Sequence, residues 1–266
     1  MSTSTYAVRD SMTMLRRNLK RARRYPSMTL STVITPILML LLFVYVFGNA
    51  LGNGIELPGG GSGRGDYIDY VTPGIILMTA TSGAVSTAVS VCSDMTEGII
   101  NRFRTMSISR ASVLTGHVLG NVIQTMIALV MVTGVAFAVG FRSNATPIEW
   151  LASIGLLLLL AFGFSWLSAA MGLGASTVET ASNAPLPLTF LPFLGSAIVT
   201  PDSMPTGLRW FAEYQPFTPI NETLRGLLLG TGIGNDAWIA LAWCLGLALV
   251  GYLWSRSIFN REAPKV

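Results

Sequence analysis

Hydrophobic positions in this chain come in long blocks, not in the strict alternation of strands or the one-sided stripes of soluble helices. No charged residue occurs from Pro26 to Ile55, Tyr70 to Ser93, Ala111 to Phe141 or Trp150 to Val178, nor between Glu179 and Asp202 or between Asp236 and Arg256. A hydrocarbon core of roughly 30 Å takes about 20 mostly apolar residues in a helix. The blocks therefore predict an all-α integral membrane protein of six spans, at about 27–49, 70–92, 112–140, 150–174, 179–200 and 237–256.

The segments between blocks carry their own patterns. In residues 1–26, Val8, Met12, Leu15, Leu19 and Ala22 recur at three- and four-residue steps among Arg16, Arg17, Lys20, Arg21, Arg23 and Arg24. This predicts an amphipathic helix lying on the membrane surface, ended near Pro26. It either only fixes orientation or also docks on a partner. The run "LPGGGSGRGDY" at 57–67 reads as a flexible loop without phosphate-loop spacing. Pro185, Pro187 and Pro192 predict that the fifth span is irregular at its inner end. Residues 202–230 are too charged to cross yet rich in aromatics. They predict two short re-entrant helices in the outer leaflet, broken around Pro216 and Pro219, with Trp210, Phe211, Tyr214 and Phe217 at the interface. Residues 260–266 form a tail.

Composition supports this picture: 51% of residues are hydrophobic and 11% charged, against about 25% charged in soluble domains. Six spans place Arg9, Arg16, Arg17, Lys20, Arg21, Arg23, Arg24, Arg102, Arg104, Arg110, Arg256, Arg261 and Lys265 on one side, leaving Arg64, Arg142, Arg209 and Arg225 on the other. Thirteen cations against four make the first side cytoplasmic, with both termini there, in the cytoplasmic membrane. The net charge of +4 is then a topology signal, and no nucleic-acid partner is needed to explain it.

Candidate chemistry is sparse. Catalytic motifs, cysteine–histidine clusters and paired intramembrane carboxylates are missing from the sequence, so neither a catalytic residue nor a metal ligand is assigned. The second span is rich in Thr79, Thr81, Ser82, Ser86, Thr87 and Ser90 beside small residues. It reads either as a helix-packing face or as a wall of a substrate path, the latter carried by Thr79, Ser82, Ser86 and Asn183 of the fifth block. Gly116 and Gly120 form a packing G-x-x-x-G around His117, the single histidine, itself read as a hydrogen-bonded packing residue.

The stretch "DMTEGIINRFRTMSISR" interrupts the apolar pattern on the cytoplasmic side. Asp94 and Glu97 have the spacing of a capping box, and Met95, Ile99, Phe103 and Met106 step along one face, predicting a short helix over 94–106. Such a helix floats on the membrane or fits a groove on another protein.

"SDMTEGIINRFRTMSISR", together with Met204, Pro205, Pro219 and the run "NETLRGLLLG" from Asn221 to Gly230, resembles the type-2 ABC permeases. These are the membrane subunits of ATP-driven exporters, and the likeness is greatest to the daunorubicin-resistance branch. The resemblance covers about residues 10–260. It implies a dimer of this chain with a copy or a related permease, in contact with membrane lipids and with two copies of an ATP-binding subunit that holds the ATP and Mg. It also implies that 94–106 is a coupling helix, with Asp94 and Glu97 fixing its start and Ile99, Phe103 and Arg104 facing that subunit. The exported molecule is then an amphiphilic drug or lipid. A non-transporting scaffold that recruits a cytoplasmic partner is the alternative. An ion-coupled carrier fits less well, because such carriers bury ionisable groups near mid-membrane.

Overall fold

The computed structural model describes residues 3–24, 26–54, 63–97 and 110–261. Among the described residues every regular element is helical. Helix α1 (Thr3–Arg24) is followed by α2 (Pro26–Leu41), which continues through a π-helical stretch, Leu42–Phe47, into α3 (Gly48–Gly54). Then come α4 (Arg64–Ser82), α5 (Ala84–Thr96), α6 (Arg110–Val139) and α7 (Pro147–Gly174). Short pieces follow, α8 (Val178–Asn183), α9 (Leu186–Phe190) and a 3-10 turn at Leu191–Leu194, before α10 (Thr206–Tyr214), α11 (Phe217–Leu229) and the long α12 (Asp236–Arg261).

Five helical stretches are long and apolar enough to cross a membrane: Thr32–Asn53, Arg64–Thr96, Ser112–Val139, Pro147–Gly174 and Asp236–Phe259. Their outward faces are apolar. Leu38 and Leu42, Ile127 and Val130, and Leu245, Leu249 and Leu253 all point away from the protein, an arrangement that water penalises and lipid does not. Inside, Tyr67, Ile75, Ile76, Leu77, Leu160, Phe164, Phe217, Ile220 and Leu224 close one core that ties α4, α7 and α11 together.

The tightest pairing joins α7 and α12. A Cβ on Gly251 would stand 2.5 Å from the Leu167 nitrogen, and one on Gly163 would stand 3.0 Å from the Ala248 nitrogen. Only glycine permits backbones to approach so closely, and dispersion then replaces the hydrophobic drive that lipid lacks. Trp166 meets Tyr252 edge-on at 5.1 Å, and Ser255 Oγ donates to the Trp166 carbonyl at 3.0 Å.

Three sequence expectations are refined. The irregularity expected at the inner end of the fifth block is present and extends along the whole run as a chain of short pieces, in which Pro185, Pro187 and Pro192 each remove a donor within eight positions. The two helices expected within 202–230 are present and separate at Gln215–Pro216. Pro219 lies inside α11, in its first turn, where a missing N–H costs nothing. Trp210, Phe211 and Tyr214 are exposed as expected of interface aromatics, whereas Phe217 is buried edge-on against Phe164 at 5.6 Å.

Candidate functional site

Two polar assemblies occupy opposite ends of the bundle. At the end where α5 and α7 finish and α6 begins, the Asp94 side chain is 0% exposed. Arg17 Nη2 of α1 donates to its Oδ2 at 2.6 Å, and Nε2 of His117, on α6, lies 3.1 Å from the same oxygen. A carboxylate taken out of water is costly unless paired, so the aspartate needs these partners. Arg17 keeps 34% of its side chain exposed, which lets the guanidinium stay partly hydrated.

Helix α1 reaches this carboxylate by docking on the glycine pair of α6. A Cβ on Gly116 would stand 2.5 Å from Met14 Cβ, and one on Gly120 would stand 3.1 Å from Asn18 Cβ. Met14 and Asn18 are four apart, as are the two glycines, so one turn of each helix meets one turn of the other. The G-x-x-x-G therefore packs α1, with His117 between its glycines turned to Asp94. The docked side of α1 carries Met14, Arg17 and Asn18. Met12, placed by the sequence on the apolar face, is 62% exposed on a ridge with Arg9, Arg16 and Lys20.

The capping reading of Asp94 is corrected by this geometry. Helix α5 continues to Thr96, which puts Asp94 in its final turn and makes Glu97 its C-cap. Glu97 is exposed and accepts a 2.8 Å bond from Ser93 Oγ. Ile99, Phe103 and Arg104, and with them most of the expected coupling helix, lie outside the described residues. What the structure adds is the root of that segment: the chain leaves α5 within a few residues of a partly buried ion pair.

Midway along the second span, α4 gives way to α5 at Gly83. The hydroxyls of Thr79, Thr81, Ser82, Ser86 and Thr87 each donate to a carbonyl of their own helix three or four residues back, at 2.7 to 3.0 Å. Such back-bonding bends helices, and a Gly–Ser context concentrates the bend. Asn121 of α6 fills the notch, since a Cβ on Gly83 would stand 2.4 Å from its Oδ1. Its Nδ2 donates to Ser165 Oγ on α7 at 2.8 Å, and Ser86 Oγ reaches its Oδ1 at 3.4 Å. Of the residues expected to line a path, Thr79 is fully buried with its hydroxyl satisfied by Ile75, a correction to that assignment. Ser82 and Ser86 are half-buried, and Asn183 is exposed at the end of α8.

At the opposite end, the Ser196 carbonyl gathers three donors: Arg225 Nη2 at 2.7 Å, Tyr70 Oη at 3.0 Å and Asn221 Nδ2 at 3.0 Å. Arg225 is buried, with its guanidinium carbon 3.8 Å over the Tyr70 ring and its Nη1 on Glu222 at 2.5 Å. The start of α4, the irregular run before Thr200 and α11 are thereby fastened to one another. Outside it, Arg209 bonds Glu213 at 2.7 Å and Asp202 at 2.6 Å, and these acids raise the pKa of its guanidinium above the ordinary value.

Arg17, His117, Asn121, Ser165 and Arg225 were not singled out as site residues from the sequence. For two of them a signal exists: His117, Asn121 and Thr125 are polar at four-residue steps inside an apolar block, a stripe on one helix face.

The fold and these buried polar links define a multi-pass helical membrane protein. The family model for ABC-2 type transporters matches residues 10–229, and the chain belongs to that family. It is 26% identical over 245 residues to the daunorubicin resistance ABC transporter permease protein DrrB1 of Streptomyces coeruleorubidus, covering 92% of this chain and 83% of that one. It is 24% identical over 219 residues to the probable doxorubicin resistance ABC transporter permease protein DrrC of Mycobacterium tuberculosis, covering 82% and 78%. The inner membrane transport permease YadH of Escherichia coli is 24% identical over 214 residues, covering 79% and 80%. The chain is thus similar to permease subunits of ABC transporters, which are energised by ATP hydrolysis on a partner protein.

Proposed function

We propose that this chain is one permease half of an exporter that carries an amphiphilic, drug-like or lipid-like molecule out across the cytoplasmic membrane. A second permease, a copy of this chain or a related one, and two ATP-binding subunits complete the machine. ATP and Mg belong to those subunits. The observation that carries the reading is the Asp94 junction, which fixes the helix end from which residues 98–109 depart, on the side where thirteen of the 17 basic residues fall. That charge bias supports the reading that this side is cytoplasmic. The names of the relatives, daunorubicin and doxorubicin resistance permeases, support the amphiphilic drug class.

Six crossings fit the path better than five. Cys92 Sγ contacts the Ala175 carbonyl at 3.7 Å at one end of the bundle, and Tyr70 bonds Ser196 at the other. A broken run between Ala175 and Ser196 that takes the full height of the bundle is the reading these two contacts support. Helices α10 and α11 then form a re-entrant element on the outer side, α10 with its aromatics toward lipid headgroups. In this reading Glu97, Ile99, Phe103 and Arg104 engage the ATP-binding subunit, Asp94 anchors the segment they belong to, and Ser82, Ser86 and Asn183 face the path beside the second permease.

The experiment is co-purification of the tagged chain from its native membrane, with and without Phe103→Asp. An ATP-hydrolysing polypeptide is expected to accompany the wild type and to be lost from the variant. A variant that retains both the polypeptide and its stimulated hydrolysis would overturn the coupling assignment.

A further inference from the structure

We propose that Gln215, Thr218, Asn221 and Ser196 form a subsite for a neutral hydrogen-bonding group of the exported molecule, a hydroxyl, carbonyl or amide. This rests on the exporter reading given above. Gln215 joins α10 to α11 and is 4% exposed, yet neither its Oε1 nor its Nε2 has a partner. Asn221, 0% exposed, donates through Nδ2 to the carbonyl and hydroxyl of Ser196 at 3.0 and 3.1 Å, while its Oδ1 has no partner. Buried amide atoms that lose water without gaining a partner destabilise the state that buries them, and native proteins keep few of them. A leucine or methionine would fill the same volume at lower cost, so packing does not account for an amide here.

Gly195 supplies an independent observation. A Cβ at that position would stand 2.4 Å from Gln215 Nε2 and 2.9 Å from Thr218 Oγ1, so any side chain there would displace the amide. Thr218 Oγ1 donates to the Ala212 carbonyl at 2.5 Å and keeps lone pairs free to accept. The backbone alongside, from Leu191 to Thr200, is 3-10 and turn rather than α-helix.

The inventory decides the chemistry of the guest. Gln215 offers donors and an acceptor and Asn221 an acceptor, all uncharged. The adjacent cation, Arg225, is already engaged by Glu222, Tyr70 and Ser196. In this closed state the Gln215 amide and the Asn221 Oδ1 are sealed and unpaired. When the outer region opens, a polar group of the guest pairs with them and favours the open state by the difference.

The test compares wild type and Gln215→Met in the full complex with the ATP-binding partner. Thermal unfolding is measured alone and with daunorubicin, which bears hydroxyl and carbonyl groups, or with tetraphenylphosphonium, which bears neither. Removing unpaired polar atoms at constant length is expected to raise the unfolding temperature without ligand. Daunorubicin affinity is expected to fall about tenfold, the equivalent of one hydrogen bond, and that for tetraphenylphosphonium to stay the same. The subsite is overturned if wild type does not bind daunorubicin, if both ligands weaken alike, if daunorubicin binding is unchanged, or if the variant is less stable or does not fold. Intact daunorubicin binding without any ATP-driven transport would instead overturn the exporter reading and leave the binding comparison to judge the subsite.

Discussion

Arg17 and Asp94 are 77 positions apart in the chain and 2.6 Å apart in the fold. The N-terminal helix α1 is thereby fastened by charge to the last turn of α5, a few residues before the segment proposed to meet the ATP-binding subunit.

Arg17→Ala leaves the buried carboxylate without its cation. Breaking a fully buried pair costs about 3–5 kcal/mol, and the partial exposure of Arg17 reduces this to roughly 1–3 kcal/mol. Asp94→Asn removes the buried charge itself and is expected to cost less. Thermal unfolding of both single variants and of the double variant reads their coupling. Additive single effects would show that the two side chains do not act as a pair.

Docking of α1 also depends on Gly116. A valine there would put its Cβ 2.5 Å from Met14 Cβ, and overpacking of this kind costs about 1–3 kcal/mol. Gly116→Val is expected to release α1 and open it to trypsin at Arg16 and Lys20. Gly134→Val, at a position with open space, serves as the control. Equal digestion of the two variants would mean that the glycine pair does not seat the helix.

Element positions were legible in the sequence because an uncharged block longer than a bilayer permits little but a helix. Five of the six expected spans appear as helical stretches long and apolar enough to cross, the second interrupted at Gly83, and the coarse place of α10 and α11 follows from their charges and prolines. In the fifth block Pro185, Pro187 and Pro192 announce an irregular inner end, but hydropathy does not say how far the irregularity extends beyond them. The site was less legible still. Asp94 and Glu97 have capping-box spacing, but spacing does not say on which side of a helix end they lie, and only the continuation of α5 to Thr96 decides it. Pairings such as Arg17 with Asp94 or Tyr70 with Ser196 are tertiary facts between distant positions, with no local pattern to announce them.

Asn121 is expected to set the flexure of the second span. It fills the notch at Gly83 and bridges α6 to Ser165 on α7. Asn121→Leu keeps the volume and removes the bridge. The expected outcome is a stability change of about 1–2 kcal/mol, the range for one buried hydrogen bond and its orphaned partner, with basal ATP hydrolysis retained and drug-stimulated hydrolysis reduced. Equal loss of basal and stimulated hydrolysis would mark Asn121 as a packing residue only.

Arg225 offers the sharpest separation between charge and geometry. Its guanidinium simultaneously meets Glu222, two backbone carbonyls and the face of Tyr70, a set that needs a planar, multiply donating cation. Lysine carries the charge but offers a single compact ammonium, so Arg225→Lys keeps the ion pair and loses most of the carbonyl bonds. Methionine loses both, although Glu222 is partly exposed and can turn to water. The expected order of stability is wild type, then Lys, then Met, with the Met variant about 2–4 kcal/mol below wild type. Because Ser196 would lose its strongest donor in either variant, hydrogen exchange in residues 191–200 is expected to accelerate in both. Unchanged exchange there, alongside a lowered unfolding temperature, would mean that Arg225 stabilises α11 alone and does not fasten the irregular run to the second span.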